Sequence, residues 1–259
     1  MTVLSLALVQ QASALDPAEN RERMREQMRR LEHNPQLVVF PEVFMRDFGK
    51  PGSDIAEFAE DLDGHFVQSI SELAKEHETT IVAGMFETST DPERPYNTLV
   101  VVSPDGLQAS YRKIHLYDSF GYKESERLLA GAVEPVTVDV KGWRLGLMTC
   151  YDLRFPELAR ALVEHGSEML VVPAAWVAGP GKVEHWRTLL QARAIENTVY
   201  VAAAAQPAPR YSGHSMLVTP MGEVTVECDG EPATIDGHAE HSILEEARER
   251  NPSLANRRF

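Results

Sequence analysis

The sequence predicts an α/β fold in which mixed sheets are flanked by helices, on three observations. Short apolar runs alternate with segments of helical spacing along the whole chain. Some neighbouring apolar runs are joined by tight turns and others by helices, so antiparallel hairpins and parallel crossovers both occur. No fixed-period repeat, low-complexity tract or Gly/Ser linker interrupts the 259 residues, so residues 1–259 read as a single domain.

The elements follow in order. Val3 to Gln10 is an apolar run that reads as a buried strand. Asp16-Pro17 then supplies an N-cap and a proline at the first helical position. Met24, Met28 and Leu31 recur at helical spacing in a charged segment, so that helix turns one stripe inward. Leu37 to Phe40 is a short strand ending at Pro41-Glu42, and a helix covers roughly Gly64 to His77. Thr80 to Phe86 and Thr98 to Ser103 read as strands. The turn Ser103-Pro104-Asp105-Gly106 feeds a returning strand that ends near Tyr111. Lys113 to Gly131 has no clean period and reads as a long loop with short helical pieces. Val136 to Val140 and Trp143 to Thr149 are strands around a Lys141-Gly142 turn. Phe155-Pro156-Glu157 opens a helix that Gly166 stops. The strand Met169 to Pro173, a helix over Val183 to Asn197 and the strand Val199 to Ala204 come next. Met216 to Thr219 and Val224 to Cys228 form a hairpin around Pro220-Met221-Gly222. From Pro232 the tail is less regular, with a short helix near Leu244 to Arg250.

Bulk properties narrow the function. A chain with 43% hydrophobic and 25% charged residues can bury a substantial core. Its net charge of −14 speaks against gripping nucleic acid or an anionic membrane. The two cysteines, Cys150 and Cys228, fit a reducing cytoplasm better than a disulfide scaffold. The first apolar run lacks a basic flank and leads into a helix signal, so it reads as a core strand and not as a signal peptide. No apolar run approaches the length of a membrane span.

Three residue types capable of chemistry stand where strands end. Cys150 follows the apolar run through Leu147 and precedes a helix, where free backbone N–H groups assist a thiol. Taken on position alone, a buried structural cysteine is the better reading. Glu42 closes Val38-Val39-Phe40-Pro41, and Lys113 follows a hairpin in Tyr111-Arg112-Lys113. Each alone is as readily a cap or a solvated charge.

Together they form a pattern. Phe40-Pro41-Glu42, Arg112-Lys113-Ile114-His115-Leu116 and the run Cys150-Tyr151-Asp152-Leu153-Arg154-Phe155-Pro156-Glu157 occur in that order. Lys123-Glu124-Ser125, Ala192-Arg193-Ala194-Ile195-Glu196-Asn197 and Gly213-His214-Ser215 accompany them. The set resembles the nitrilase (carbon–nitrogen hydrolase) superfamily over nearly the whole chain. Its Cys-Tyr-Asp-x-Arg-Phe-Pro-Glu-Leu and Gly-His-Ser motifs look like the branch of omega-amidases and deaminated-glutathione amidases.

That resemblance implies a four-layer α-β-β-α sandwich, a homodimer or larger homo-oligomer, and no metal or organic cofactor. It implies that Cys150 is the nucleophile, Glu42 its base, Lys113 an oxyanion partner with the Tyr151 backbone N–H, and Glu124 a second carboxylate. The implied substrate is a small carboxylate-bearing primary amide, cleaved through a thioester. An N-carbamoyl amino acid hydrolase or nitrilase would use the same chemistry, and a catalytically silent scaffold could share the fold. Retaining all four reactive groups argues against the scaffold.

Further candidates carry two readings each. Arg154 either holds a substrate carboxylate or pairs with an acid such as Glu157. Trp176 is a pocket wall or a core residue, while Tyr117 and Phe120 could line the pocket from the long loop. Arg193 and Glu196 read as a buttressing ion pair. His115 and His214 lack a serine nucleophile motif and read as structural hydrogen-bonders. His238 and His241 have no zinc-like partners and read as solvated. Cys228 reads as inert packing.

Overall fold

The computed structural model describes residues 2–50 and 52–258. Period-two alternation sorts the first strands onto two faces. In β1 (Val3–Gln10), Leu4, Leu6 and Leu8 enter one apolar cluster, while Ala7 and Val9 enter another. The first helix, α1 (Pro17–Arg30), begins at Asp16, whose side chain accepts the Ala18 N–H at 2.8 Å. Its Met24 and Met28 join Phe66 and Ile70 of α2 (His65–Glu76) against the Ala7 face. β2 (Leu37–Val39) and β3 (Thr80–Glu87) lie parallel beside β1, and β4 (Tyr96–Ser103) and β5 (Gly106–Arg112) extend the sheet antiparallel.

The second sheet repeats this plan. A short hairpin of β6 (Asp118–Ser119) and β7 (Tyr122–Lys123) precedes it. β8 (Thr137–Val140) pairs antiparallel with β9 (Trp143–Leu147). The helix α3 (Pro156–Glu164) leads to β10 (Met169–Ala174), and α4 (Lys182–Asn197) leads to β11 (Tyr200–Ala205). β9, β10 and β11 are parallel, and β12 (Met216–Val218) and β13 (Val224–Glu227) complete the sheet antiparallel. Leu158 and Leu162 of α3 and Trp186 and Leu190 of α4 pack in the cluster that fills this half. That same cluster holds Leu4, Leu6, Leu8, Leu37 and Leu99 of the first sheet. The sheets therefore face each other with helices outside both, as a four-layer α-β-β-α sandwich.

The tail departs from expectation. β14 (Ala233–Glu240) is regular and pairs antiparallel with β1 along its whole length, before α5 (His241–Arg250). Its sequence hides this because it is an edge strand with Asp236 and His238 exposed, so no apolar run announces it. His241 also differs from the solvated reading. Its ring stacks on Trp143 at 4.0 Å between centroids, and its Nε2 lies 3.2 Å from Glu168. The Lys113 to Gly131 stretch holds the β6–β7 hairpin as well as a 3-10 turn over Glu124–Glu126. No helix among the described residues is long and apolar enough to cross a membrane.

Candidate active site

Parallel strands of both sheets release their functional residues at their carboxyl ends, where α/β sheets commonly present sites. Glu42 follows β2, Cys150 follows β9, and Ala175 and Trp176 follow β10.

Glu42 is almost fully buried and accepts three hydrogen bonds on its carboxylate. Lys113 Nζ (3.0 Å) and Asn97 Nδ2 (2.7 Å) donate to Oε1, and the Ala175 N–H (2.7 Å) donates to Oε2. Its own carbonyl accepts from Gln206 Nε2 at 3.0 Å. The backbone here passes hard against β3. A Cβ on Gly84 would sit 2.2 Å from the Val43 nitrogen and 2.9 Å from the Glu42 carbonyl carbon. Gly84→Ala must therefore shift the strand that carries Glu42. The expected result is a loss of about 1–3 kcal/mol of stability together with a fall in kcat, read from denaturant unfolding and steady-state rates.

Lys113 is buried and spends its three donors on carboxylates, with Nζ 3.0 Å from Glu42 Oε1 and 3.1 and 2.9 Å from the two oxygens of Glu124. Burial alone works against its charge, but Glu124 and then Glu42 outweigh it and hold the ammonium well above the usual lysine range. Glu124 opens the 3-10 turn and also accepts the Tyr117 N–H at 2.6 Å. Burial raises its proton affinity above the ordinary carboxylate value, with Lys113 opposing and Glu42 adding to the rise.

Cys150 begins a 3-10 turn (Cys150–Arg154) with φ at +48°, a left-handed conformation uncommon for a residue with a side chain. One buried carboxylate fixes this turn. Asp152 accepts the Thr149 N–H (2.8 Å), the Tyr111 hydroxyl (2.7 Å) and the His115 N–H (3.1 Å), with His115 Nδ1 at 2.7 Å. It thereby ties the Cys150 turn to the segment that carries Lys113. A place before a helix does not by itself ionise the thiol. Burial first, and then the charge of Glu42, push it well above the ordinary cysteine range, with Lys113 opposing. The resting group is a neutral thiol beside a hydrogen-bonded carboxylate.

These four residues sit in a cavity of ≈ 580 Å³ whose lining includes Tyr117, Phe120, Tyr151, Arg154 and Trp176. All the residues singled out as site candidates thus meet in one place. Arg154 does not pair with Glu157. Its guanidinium packs over Trp176 at 4.8 Å, and Nε and Nη2 are buried without a partner. Arg193 supports the turn from behind, donating to the Leu153 carbonyl at 2.8 and 3.1 Å and pairing with Glu196 at 2.9 Å. His115 stacks on Phe155, and His214 Nδ1 lies 2.9 Å from Glu227, so both are structural. Cys228 is buried outside the cavity lining, and burial pushes its thiol up to about 11.

Sequence reasoning missed several contributors. Asn97 is one, although a buried amide in an apolar strand signals a required partner. Lys182, Arg210 and Tyr211 also line the cavity. Arg210 and Tyr211 both bond to Asp47, the hydroxyl of Tyr211 at 2.6 Å, which joins two loops at the rim.

Two packed sheets with a buried Glu–Lys–Glu cluster beside a cysteine define a class of thiol-containing α/β sandwich. Residues 5–243 match the carbon–nitrogen hydrolase family, and the chain belongs to that family. A deaminated glutathione amidase of Escherichia coli O157:H7 is 38% identical over 88% of this chain and 87% of its own. The human omega-amidase is 35% identical over 86% of this chain and 83% of its own. The crystal structure of a CN-hydrolase superfamily protein from Xanthomonas campestris, with an arsenic adduct in its active site, superposes with a TM-score of 0.90. It is 31% identical and covers 100% of this chain and 98% of its own. The chain is accordingly a carbon–nitrogen hydrolase.

Proposed function

We propose that this hydrolase cleaves a small carboxylate-bearing primary amide to a carboxylate and ammonia through a thioester on Cys150. The observation that carries this reading is the pairing of a neutral Cys150 thiol with a buried Glu42 carboxylate, with Lys113 fixed between two acids. Glu42 accepts the Cys150 proton as the sulfur attacks the amide carbon. Lys113 and the Tyr151 N–H, at the start of the 3-10 turn where backbone donors lack internal partners, stabilise the oxyanion. Glu42 returns the proton to the departing ammonia. Water, deprotonated by Glu42, then hydrolyses the thioester and frees the thiol. Glu124 is a positioning residue that keeps Lys113 charged and aimed.

Arg154, with two buried donors free, is suited to the substrate carboxylate. Trp176, Tyr117 and Phe120 would form the walls. A silent scaffold is disfavoured because burying three charges together costs stability that binding alone does not require. The reading extends to one catalytic unit over residues 1–259, working in the cytoplasm as a homodimer or larger homo-oligomer.

Ammonia release from a panel of amides tests it. The panel holds omega-amides of 2-oxo acids, deaminated glutathione, glutamine, asparagine, carbamoyl amino acids and nitriles. Turnover of a carboxylate-bearing amide is expected. In Arg154→Met, kcat/KM for that amide should fall roughly 10- to 150-fold, the worth of a charged hydrogen bond. Fastest turnover of a carbamoyl compound or nitrile would reassign the substrate class.

A further inference from the structure

Most charges around the cavity are compensated. Lys113 has Glu42 and Glu124, and Arg210 has Asp47. Two cations are not. Among the described residues, neither Arg154 nor Lys182 pairs with a carboxylate. A buried cation without a counter-charge is costly unless a ligand completes it.

Lys182 is held inward by its surroundings. Gly179 and Gly181, with φ of +156° and +70°, turn the chain over the cavity just before α4 begins. The Lys182 carbonyl accepts the Trp176 indole N–H at 2.9 Å, which locks the register of the turn. The residue is only 9% exposed although it opens a helix. Its Nζ stands 3.2 Å from the Tyr117 hydroxyl, 3.9 Å from the Phe120 ring centroid and 5.7 Å from that of Trp176. Arg154 rests against the same indole at 4.8 Å. An ammonium has three donors, and Tyr117 occupies one. The simpler role is a cation–π strut under Phe120. A strut explains neither the unused donors nor the placing of a second positive charge beside Arg154. Burial first, and then the charge of Arg154, lower the proton affinity of Lys182, so no carboxylate among the described residues offsets its charge there.

We propose that Lys182 forms a second anion subsite beside Arg154, so that the substrate is an amide bearing two acidic groups, one held by each cation. This rests on the reading of the cavity as the substrate site. The amide lies over Cys150, and the two acidic groups lie against the Trp176 wall.

Calorimetric titration of the intact protein with succinate and butyrate tests the subsite without catalysis. The two acids share a four-carbon frame and differ by one carboxylate. Native protein should bind succinate at least about tenfold more tightly than butyrate. Lys182→Met should abolish that preference and leave butyrate binding within about twofold of native. Lys182→Arg, which keeps the charge, should retain it, and Arg154→Met should weaken both acids. Equal binding of the two acids by native protein, no binding of either, or a preference that survives Lys182→Met would each overturn the proposal. Ammonia release is a separate readout. A dianion preference without any amide hydrolysis would leave the subsite standing and remove the amidase reading.

Discussion

Replacing Cys150 with alanine is expected to cut ammonia release by at least about 10⁴-fold, because the proposed thioester needs the Cys150 sulfur. The loss should come without unfolding. Removing one sulfur costs about 1 kcal/mol, which for a chain of this size lowers the melting temperature by about 2–4 °C. Cys150→Ser should not restore activity, since an alcohol gives up its proton to a carboxylate far less readily than a thiol does. Alkylation supplies an independent check. Cys150 should react with iodoacetamide much faster than Cys228, although burial pushes both thiols up. The difference lies in Glu42, which can take the Cys150 proton as the sulfur is alkylated. Glu42→Gln should therefore slow Cys150 labelling and leave Cys228 unchanged. Equal, slow labelling of both cysteines in the native protein would contradict the assignment of the nucleophile.

Lys113→Met is the second large effect, and it acts on stability as well as rate. The substitution preserves length but leaves Glu42 and Glu124, each at most 2% exposed, facing one another without a cation. Breaking a buried ion pair from one side costs about 3–5 kcal/mol, or roughly 6–20 °C in melting temperature. Turnover should fall at least about 10³-fold as the proposed oxyanion loses its charged partner. The stability deficit should depend on pH. Without the ammonium, the folded carboxylates bind protons more tightly than those of the unfolded chain, so folding is favoured as pH falls. The direction already exists in the native protein, where burial raises Glu124 above the ordinary carboxylate value and Lys113 opposes the rise. The gap in melting temperature between native and Lys113→Met should therefore narrow between pH 7 and pH 5. A gap that widens on acidification would mean that the cluster does not carry the charges assigned to it.

The reach of the sequence depended on what each residue's signal was made of. Glu42 and Cys150 stand at the ends of apolar strands and Lys113 follows a hairpin, and both signals are readable from local pattern. Their convergence was readable only through the order of the motifs, since periodicity does not say which strand ends face each other. The Asp16 cap and the inward stripe of Met24 and Met28 follow from local chemistry alone, and both are present. β14 escaped because an edge strand can be polar on its open side, so its eight paired residues read as an irregular tail. Lys182 escaped for a related reason. A lysine in the first turn of a helix ordinarily points to solvent, and only the fold of the preceding glycine turn brings it inside. Arg154 was legible as a residue but not by role, because nothing in sequence shows that Glu157 lies away from it. The help that backbone N–H groups give a cysteine before a helix was also a local inference, and burial first, then the Glu42 carboxylate from a distant strand, outweigh it.

The pairing of β14 with β1 bears on how the enzyme comes into being. Glu42, Lys113 and Glu124 leave the ribosome before Cys150, and the first sheet cannot gain its last strand until the residues around Ala233–Glu240 have emerged. The carboxylate of Glu42 in turn takes a hydrogen bond from Ala175, on the opposite sheet. A nascent chain of two-thirds length would hold Glu42, Lys113 and Cys150 but neither Ala175 nor β14. The hydrogen bond from Ala175 to Glu42 and the complete first sheet therefore form only late in synthesis.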